Sequence, residues 1–332
     1  MNNATEKSIG VLVCNLGSPA APTAAAVRRY LAEFLADQRV VTLSPWLWLP
    51  VLYGVVLPIR APRSAANYAK IWTSEGSPLL AWTRKQAEGL QILLNERFPA
   101  RPIRLVYGMR YGQPSIAQAL ESLRQAGVEK LLVLPLYPQY AGATGASVFD
   151  AVAQAMSVWP RVPDLRLVTN YHDDMGYIAS LAASVHEHWQ AQGRGERLLM
   201  SFHGLPVSQI DKGDPYAQQC QTTAKLLAQA LALKEDEYQV VFQSRFGAQR
   251  WLQPYAEATL QALGKQGCRR LDVVCPGFSA DCLETLEEIT LRGREVFEAA
   301  GGGELRYIPA LNDRPDHLAA LADLIQRQVA GW

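Results

Sequence analysis

Net charge is almost absent from this sequence: 32 Lys and Arg stand against 31 Asp and Glu, a formal balance of +1. Binding to nucleic-acid phosphates needs a concentrated basic face, so the chain is expected to have no nucleic-acid partner. The opening "MNNATEKSIGVLVCN" has no basic region followed by a long apolar stretch and a small-residue cleavage site. A cytoplasmic protein is therefore expected. Cysteine is scarce. Cys14, Cys220, Cys268, Cys275 and Cys282 form an odd set without the short paired spacings of a zinc site. The even intervals from Cys268 to Cys282 admit a metal cluster. Three buried thiols are the favoured reading, because Cys275 ends an apolar strand and Cys282 opens a helix.

Two motifs are missing as well. The first apolar strand runs into "NLGSPAAP", whose spacing and prolines do not suit a glycine-rich phosphate loop. No Gly-x-Ser-x-Gly elbow occurs. Both absences argue against a nucleotide enzyme and a serine hydrolase of the common type. The most apolar segment, "SPWLWLPVLYGVVLPIRAPRS" (44–64), is interrupted by Pro45, Pro50 and Pro58 and is too short to cross a bilayer as a helix. It is read either as buried core or as a lip over a pocket for a large apolar ligand, touching a membrane surface. Trp46, Trp48 and Tyr53 suit the second reading, since each joins an apolar ring to a polar edge. Arg60 and Arg63 follow, placed to meet carboxylates or headgroups.

What is present is core material: 49% of the 332 residues are hydrophobic, enough for two domains or one doubled unit. Short apolar runs alternate with longer amphipathic segments, the pattern of an α/β protein with a mainly parallel sheet. "IGVLVCNLG" reads as a strand and "AAAVRRYLAEFLA" as the helix after it. "IRLVYGMRYG", "KLLVLP", "RLLMSFHGLP", "YQVVFQSRFG", "RLDVVCPGF" and "ELRYIP" continue the strands. The expected division is an N-terminal Rossmann-like domain over 1–160 that carries the 44–64 lip, and a second over 161–310. A C-terminal helix over 311–332 is expected to pack back on the first domain. The seam is expected between Trp159 and Leu165.

In open α/β sheets ligands collect at the carboxyl ends of strands. Those ends here carry Asn15-Leu16-Gly17, Arg110-Tyr111-Gly112, His203-Gly204, Gln243-Ser244-Arg245 and Ser279-Ala280-Asp281. Of the five histidines, only His203 combines a strand end with a rigid Gly-Leu-Pro exit. It is either functional or a packed histidine. Glu284 follows Asp281 at capping-box spacing, which would explain both without catalysis. Glu288 lies one turn beyond Glu284, with Glu287 beside it. A solvated acidic face and a carboxylate path for protons or a divalent ion both remain open readings.

The motifs "NLGSP", "LPLYPQYAGATG", "SFHGLP", "QSRFG" and "CPGFSADCLETLEEI", in this order from about Ile9 to the C-terminus, resemble the ferrochelatase family. That resemblance implies two similar Rossmann-like domains with the active-site cleft between them. It implies insertion of ferrous iron into a porphyrin to make haem, with release of two protons. His203 and Glu284 match the residues described as binding metal or accepting protons, and Asp281, Glu287 and Glu288 match an acidic path. Leu16, Arg60, Tyr68, Ser77, Arg110, Tyr111, Gln243, Ser244 and Trp251 match porphyrin-binding positions. Cys282 stands where other members have a histidine. No cysteine follows Cys282, so the iron–sulfur cluster of some members is expected to be absent and no prosthetic group is implied; Fe2+ is a substrate. Leu16 stands where the coproporphyrin-using branch has a tyrosine, which favours protoporphyrin IX. A peripheral contact with the inner face of the plasma membrane is implied through the lip. The competing readings are a coproporphyrin III enzyme, another tetrapyrrole chelatase of the same fold, and a non-catalytic porphyrin or haem carrier.

Overall fold

A computed structural model describes residues 8–247 and 249–332. In chain order its strands are β1 (Ile9–Gly17), β2 (Ile103–Tyr111), β3 (Lys130–Pro135), β4 (Asp164–Leu167), β5 (Arg197–His203), β6 (Tyr238–Gln243), β7 (Arg270–Val274) and β8 (Glu304–Ile308). The helices of the first half are α1 (Ala24–Ala36), α2 (Pro45–Val51), α3 (Leu57–Ile71), α4 (Pro78–Arg97), α5 (Ile116–Gln125) and α6 (Ser147–Met156). Those of the second half are α7 (Met175–Gln192), α8 (Val207–Ile210), α9 (Tyr216–Ala230), α10 (Ala256–Lys265), α11 (Arg294–Ala299) and α12 (Pro315–Val329). Three segments are π-helical: Leu52–Val56, Gly142–Ala146 and Glu284–Gly293.

The chain folds as two compact units. The first takes in the chain up to Leu136, then Gly142–Asn170 and Asp313–Trp332. Its sheet is parallel, in the order β2-β1-β3-β4. β1 is buried along its whole length except at Leu16, which is why it reads as a continuous apolar run rather than an alternating one. The second unit comprises Tyr137–Ala141 and Tyr171–Asn312. Its parallel sheet has the order β6-β5-β7-β8, the same topology four strands later. Leu199, Val241, Leu260, Leu271, Val273 and Phe297 lie at its core.

The expected α/β class with two similar four-stranded parallel sheets is what the chain adopts. The division between the units differs from the expected seam. β4 pairs in register with β3, Lys130 opposite Asp164 and Val133 opposite Leu167. It therefore completes the first sheet instead of opening the second, and the second unit resumes at Tyr171. Periodicity cannot reveal this, because a strand pattern does not name its partner.

In each sheet the second strand of the unit lies on one side of the first, and the third on the other. The winding reverses between β1 and β3, and again between β5 and β7. Carboxyl ends at such reversals are where α/β sheets leave a crevice for ligands. Leu16 and His203 end the two strands concerned.

The 44–64 segment is helical: α2, a π turn and the start of α3 follow without a break, with Pro50 inside α2 and Pro62 inside α3. The buried-core reading fails for α2, none of whose residues is buried. Trp46 is 89% exposed and Leu47 74%. Tyr53, Val55 and Ile59 are also exposed, while Leu52, Leu57 and Ala61 are buried and hold the segment to its unit. Trp48 differs from Trp46, since its indole Nε1 donates to the Leu35 carbonyl of α1 at 2.6 Å.

Candidate functional site

β5 and β6 run in register to their last residues, with His203 opposite Gln243. The ladder continues one step further, the Gly204 N–H donating to the Gln243 carbonyl at 2.7 Å. A Cβ at position 204 would lie 2.7 Å from that carbonyl and 3.1 Å from the Trp251 ring, so only glycine fits. Beyond it, Leu252 N–H donates to the Leu205 carbonyl at 2.9 Å. The Gly-Leu-Pro exit is thus stitched to the Trp251 loop on both sides. His203 Nδ1 lies 2.6 Å from the Gly204 carbonyl, which can only accept, so the ring proton sits on Nδ1. Nε2 is then the nitrogen of this partly exposed ring which, in the neutral form, can take a proton or a metal ion.

β7 leads through a loop to the π-helical segment that begins at Glu284. Gln243 joins this segment to the sheet. Its amide Nε2 donates to the Glu284 carbonyl at 2.8 Å and its Oε1 accepts from Ser201 Oγ at 2.6 Å. Gln243 is buried, with both ends of its amide engaged inside the unit. Ser244 follows with φ of 65°, rare for a residue with a Cβ. That turn brings its N–H to Glu288 Oε1 at 2.8 Å and its hydroxyl to Oε2 at 2.5 Å. Trp251 is buried, its ring tilted against Phe246 at 4.9 Å between centroids, and its indole N–H has no acceptor among the described residues.

The acidic row separates into two sets. Glu284 and Glu288 are partly exposed. Asp281 and Glu287 are 5% and 4% exposed and do not share that face. Asp281 is held from several sides: Oδ1 accepts from Tyr307 at 2.7 Å and Thr285 at 2.9 Å, and Oδ2 from Asn312 at 2.8 Å. It ties the loop after β7 to β8 and the loop beyond it. The expected capping box with Glu284 is replaced, because the Asp281 N–H donates to Asn312 Oδ1 at 2.8 Å. All five cysteines are free and buried. Burial pushes the Cys282 thiol up and the neighbouring Glu284 carboxylate pushes it further, so it stays protonated rather than acting as a thiolate ligand.

In the first unit, Leu16 is the one partly exposed residue of β1. Asn15 steadies it, accepting the Leu16 N–H at 2.9 Å and donating to Thr83 at 3.1 Å. Gly17 has φ of 103°, and a Cβ there would sit 1.8 Å from the Tyr111 carbonyl. Arg110 and Tyr111, at the end of β2, converge on Asp37. The carboxylate accepts from Arg110 at 2.6 Å, Tyr111 at 2.7 Å and Ser147 at 2.6 Å, all at Oδ2. Burial raises the Asp37 pKa, but these donors and the Arg39 N–H outweigh it and hold the group below its ordinary value. Tyr111 is fully buried; it fixes Asp37 and stacks under the Arg110 guanidinium. Asp37 and Ser147 had no signal in the sequence. Arg60 and Tyr68 lie on α3 and Ser77 caps α4, Arg60 partly buried and the other two buried. Burial lowers the Arg60 pKa.

Among the described residues, no three His, Cys, Asp or Glu side chains gather as a ready-made metal site. No described helix is long and apolar enough to cross a membrane. A family model for ferrochelatase matches residues 8–329. The chain is 56% identical over 324 residues to the ferrochelatase of Thioalkalivibrio sulfidiphilus, covering 98% of this chain and 88% of that protein. It is 55% identical over 328 residues to the ferrochelatase of Nitrosococcus oceani, covering 99% and 89%. Among solved structures it is similar to SirB from Bacillus subtilis with Fe3+, with a TM-score of 0.57 at 12% identity, covering 97% of this chain and 96% of that one. That last likeness concerns the fold alone.

Proposed function

The chain belongs to the ferrochelatase family, and from that premise we propose that it inserts Fe2+ into protoporphyrin IX, with His203 as proton acceptor. The reaction exchanges two pyrrole N–H protons for one divalent ion. It needs a base near neutral pH and oxygen or nitrogen ligands that pass the metal on. The observation that carries the reading is the contact of His203: Nδ1 is engaged by the Gly204 carbonyl at the carboxyl end of β5, which makes Nε2 the nitrogen for an incoming proton. Glu284 and Glu288, the two partly exposed carboxylates of the π-helical segment, serve the metal. Leu16 at the end of β1 lies against the macrocycle, where its bulk favours protoporphyrin. Arg60, with its burial-lowered pKa, meets a propionate. Iron is the substrate of this reading.

The second part of the proposal is a peripheral membrane contact through α2, supported by the exposure of Trp46 and Leu47. An apolar porphyrin delivered from a bilayer would meet this surface first. Anaerobic mixing of protein, protoporphyrin IX and Fe2+, with coproporphyrin III in parallel, tests the activity and its substrate. Catalytic appearance of metalloporphyrin absorbance is expected with protoporphyrin; stoichiometric binding without turnover would make the protein a carrier. His203→Ala should lower turnover by about 10²–10⁴-fold while leaving divalent-ion binding in place. Glu284→Gln should weaken that binding.

A further inference from the structure

Arg292, one helical step beyond Glu288, was not among the residues the sequence singled out. Its Nη2 lies 3.1 Å from Glu288 Oε1, the same oxygen that accepts the Ser244 N–H. Glu288 Oε2 holds the Ser244 hydroxyl. Ser244 and Arg292 thus meet at Oε1, the one as a hydrogen-bond donor and the other as an ion-pair partner. Glu288 and Arg292 also line a shallow, solvent-open surface hollow with Glu257, Ala256, Leu260 and Ile289. From solvent, Glu288 is therefore reached beside a guanidinium that pairs with its charge and repels a dication.

We infer that Arg292 is a positioning residue that withholds Glu288 from divalent cations and sets the metal concentration at which the enzyme works. This rests on the chelatase reading above. The Glu288 side chain is 19% exposed and that of Arg292 50%. An ion pair this exposed is weak and opens readily, so it regulates access without sealing it. Opening removes the neighbouring positive charge from an oxygen that Ser244 already holds in place. The metal then meets an oriented carboxylate rather than a mobile one.

The test compares wild type, Arg292→Gln and Arg292→Lys in zinc insertion into protoporphyrin IX. Arg292→Gln should lower KM for zinc by about threefold to fivefold, the upper part of what a surface ion pair can supply. Its kcat and porphyrin KM should stay within about twofold, a tolerance below one exposed pair. Arg292→Lys should keep the wild-type zinc KM. The gain should vanish in the Glu288→Gln background, as expected of a residue acting through its neighbour. Mn2+ titration of the free protein, followed by electron paramagnetic resonance, should show tighter binding in Arg292→Gln. An unchanged or higher zinc KM overturns the inference, as does a fall in kcat with a rise in porphyrin KM. If wild type turns over no metal at all, the chelatase reading fails instead. The Mn2+ comparison then decides alone: tightening upholds the role of Arg292 and unchanged binding refutes it.

Discussion

Asp37 gathers its donors from three places far apart in the chain: its own loop through Arg39, the end of β2 through Arg110 and Tyr111, and the start of α6 through Ser147. Its side chain is 8% exposed, so the ion pair with Arg110 is shielded from water. Asp37→Asn keeps the shape and removes the charge. It should cost about 2–3 kcal/mol at pH 7, the range for hydrogen bonds to a buried charged group. The folded pKa lies below the ordinary value. The carboxylate's contribution is therefore complete above the unfolded pKa of about 3.9 and is lost as pH falls through the folded one. Urea unfolding should show the deficit at pH 7 and its disappearance at strongly acid pH; a constant deficit would mean packing, not charge, is at stake. Nothing in the sequence marked Asp37, because its partners are distant and its own neighbours form no motif. His203 was legible for the opposite reason: strand end, glycine and proline are consecutive, and each restricts the next.

At the scale of elements, the apolar 44–64 segment shows how one sequence stretch serves two surfaces. Trp48 is tied to α1 by its indole N–H, while Trp46 projects into solvent two residues earlier. Composition alone made the two tryptophans equivalent; only the helix they share separates them. Trp46→Ser with Leu47→Ser should weaken binding to anionic liposomes by about tenfold or more, since each large apolar side chain contributes roughly 1.5–3 kcal/mol when buried. Co-sedimentation reads this out, and unchanged binding removes the membrane contact from the proposal. Trp48→Phe should instead lower stability with little effect on liposomes. The strands and most helices were legible from periodicity, β1 and α1 to the residue. The π-helical segments were not. Their wider turn leaves no compositional trace, and at Glu284–Gly293 it redistributes the acidic row so that Glu287 turns inward.

The two units are not consecutive stretches of chain, and that bears on how the molecule holds together. Tyr137–Ala141 leaves the first half to join the second unit, where Gln139 donates to Thr223 at 2.9 Å and Tyr140 N–H to Gln219 at 2.7 Å. α12 returns from the far end of the chain to the first unit. There Leu318 lies so close to Gly89 of α4 that a Cβ on the glycine would approach it to 2.5 Å. Leu321, Ala322 and Ile325 are essentially fully buried, Arg97 pairs with Asp323 at 2.6 Å, and Arg166 donates to the Gln328 carbonyl. Removing 313–332 would expose the surface these side chains cover. At about 2 kcal/mol for each large apolar side chain lost, the change rivals the 5–15 kcal/mol by which a whole domain is stable. The second unit keeps all of its strands and its core in such a deletion. Hydrogen exchange should therefore show protection lost across β1, β2 and β3 and retained across β5, β6 and β7. Retained protection in β1 would mean that the first unit's core stands without its last helix, and that α12 only covers it.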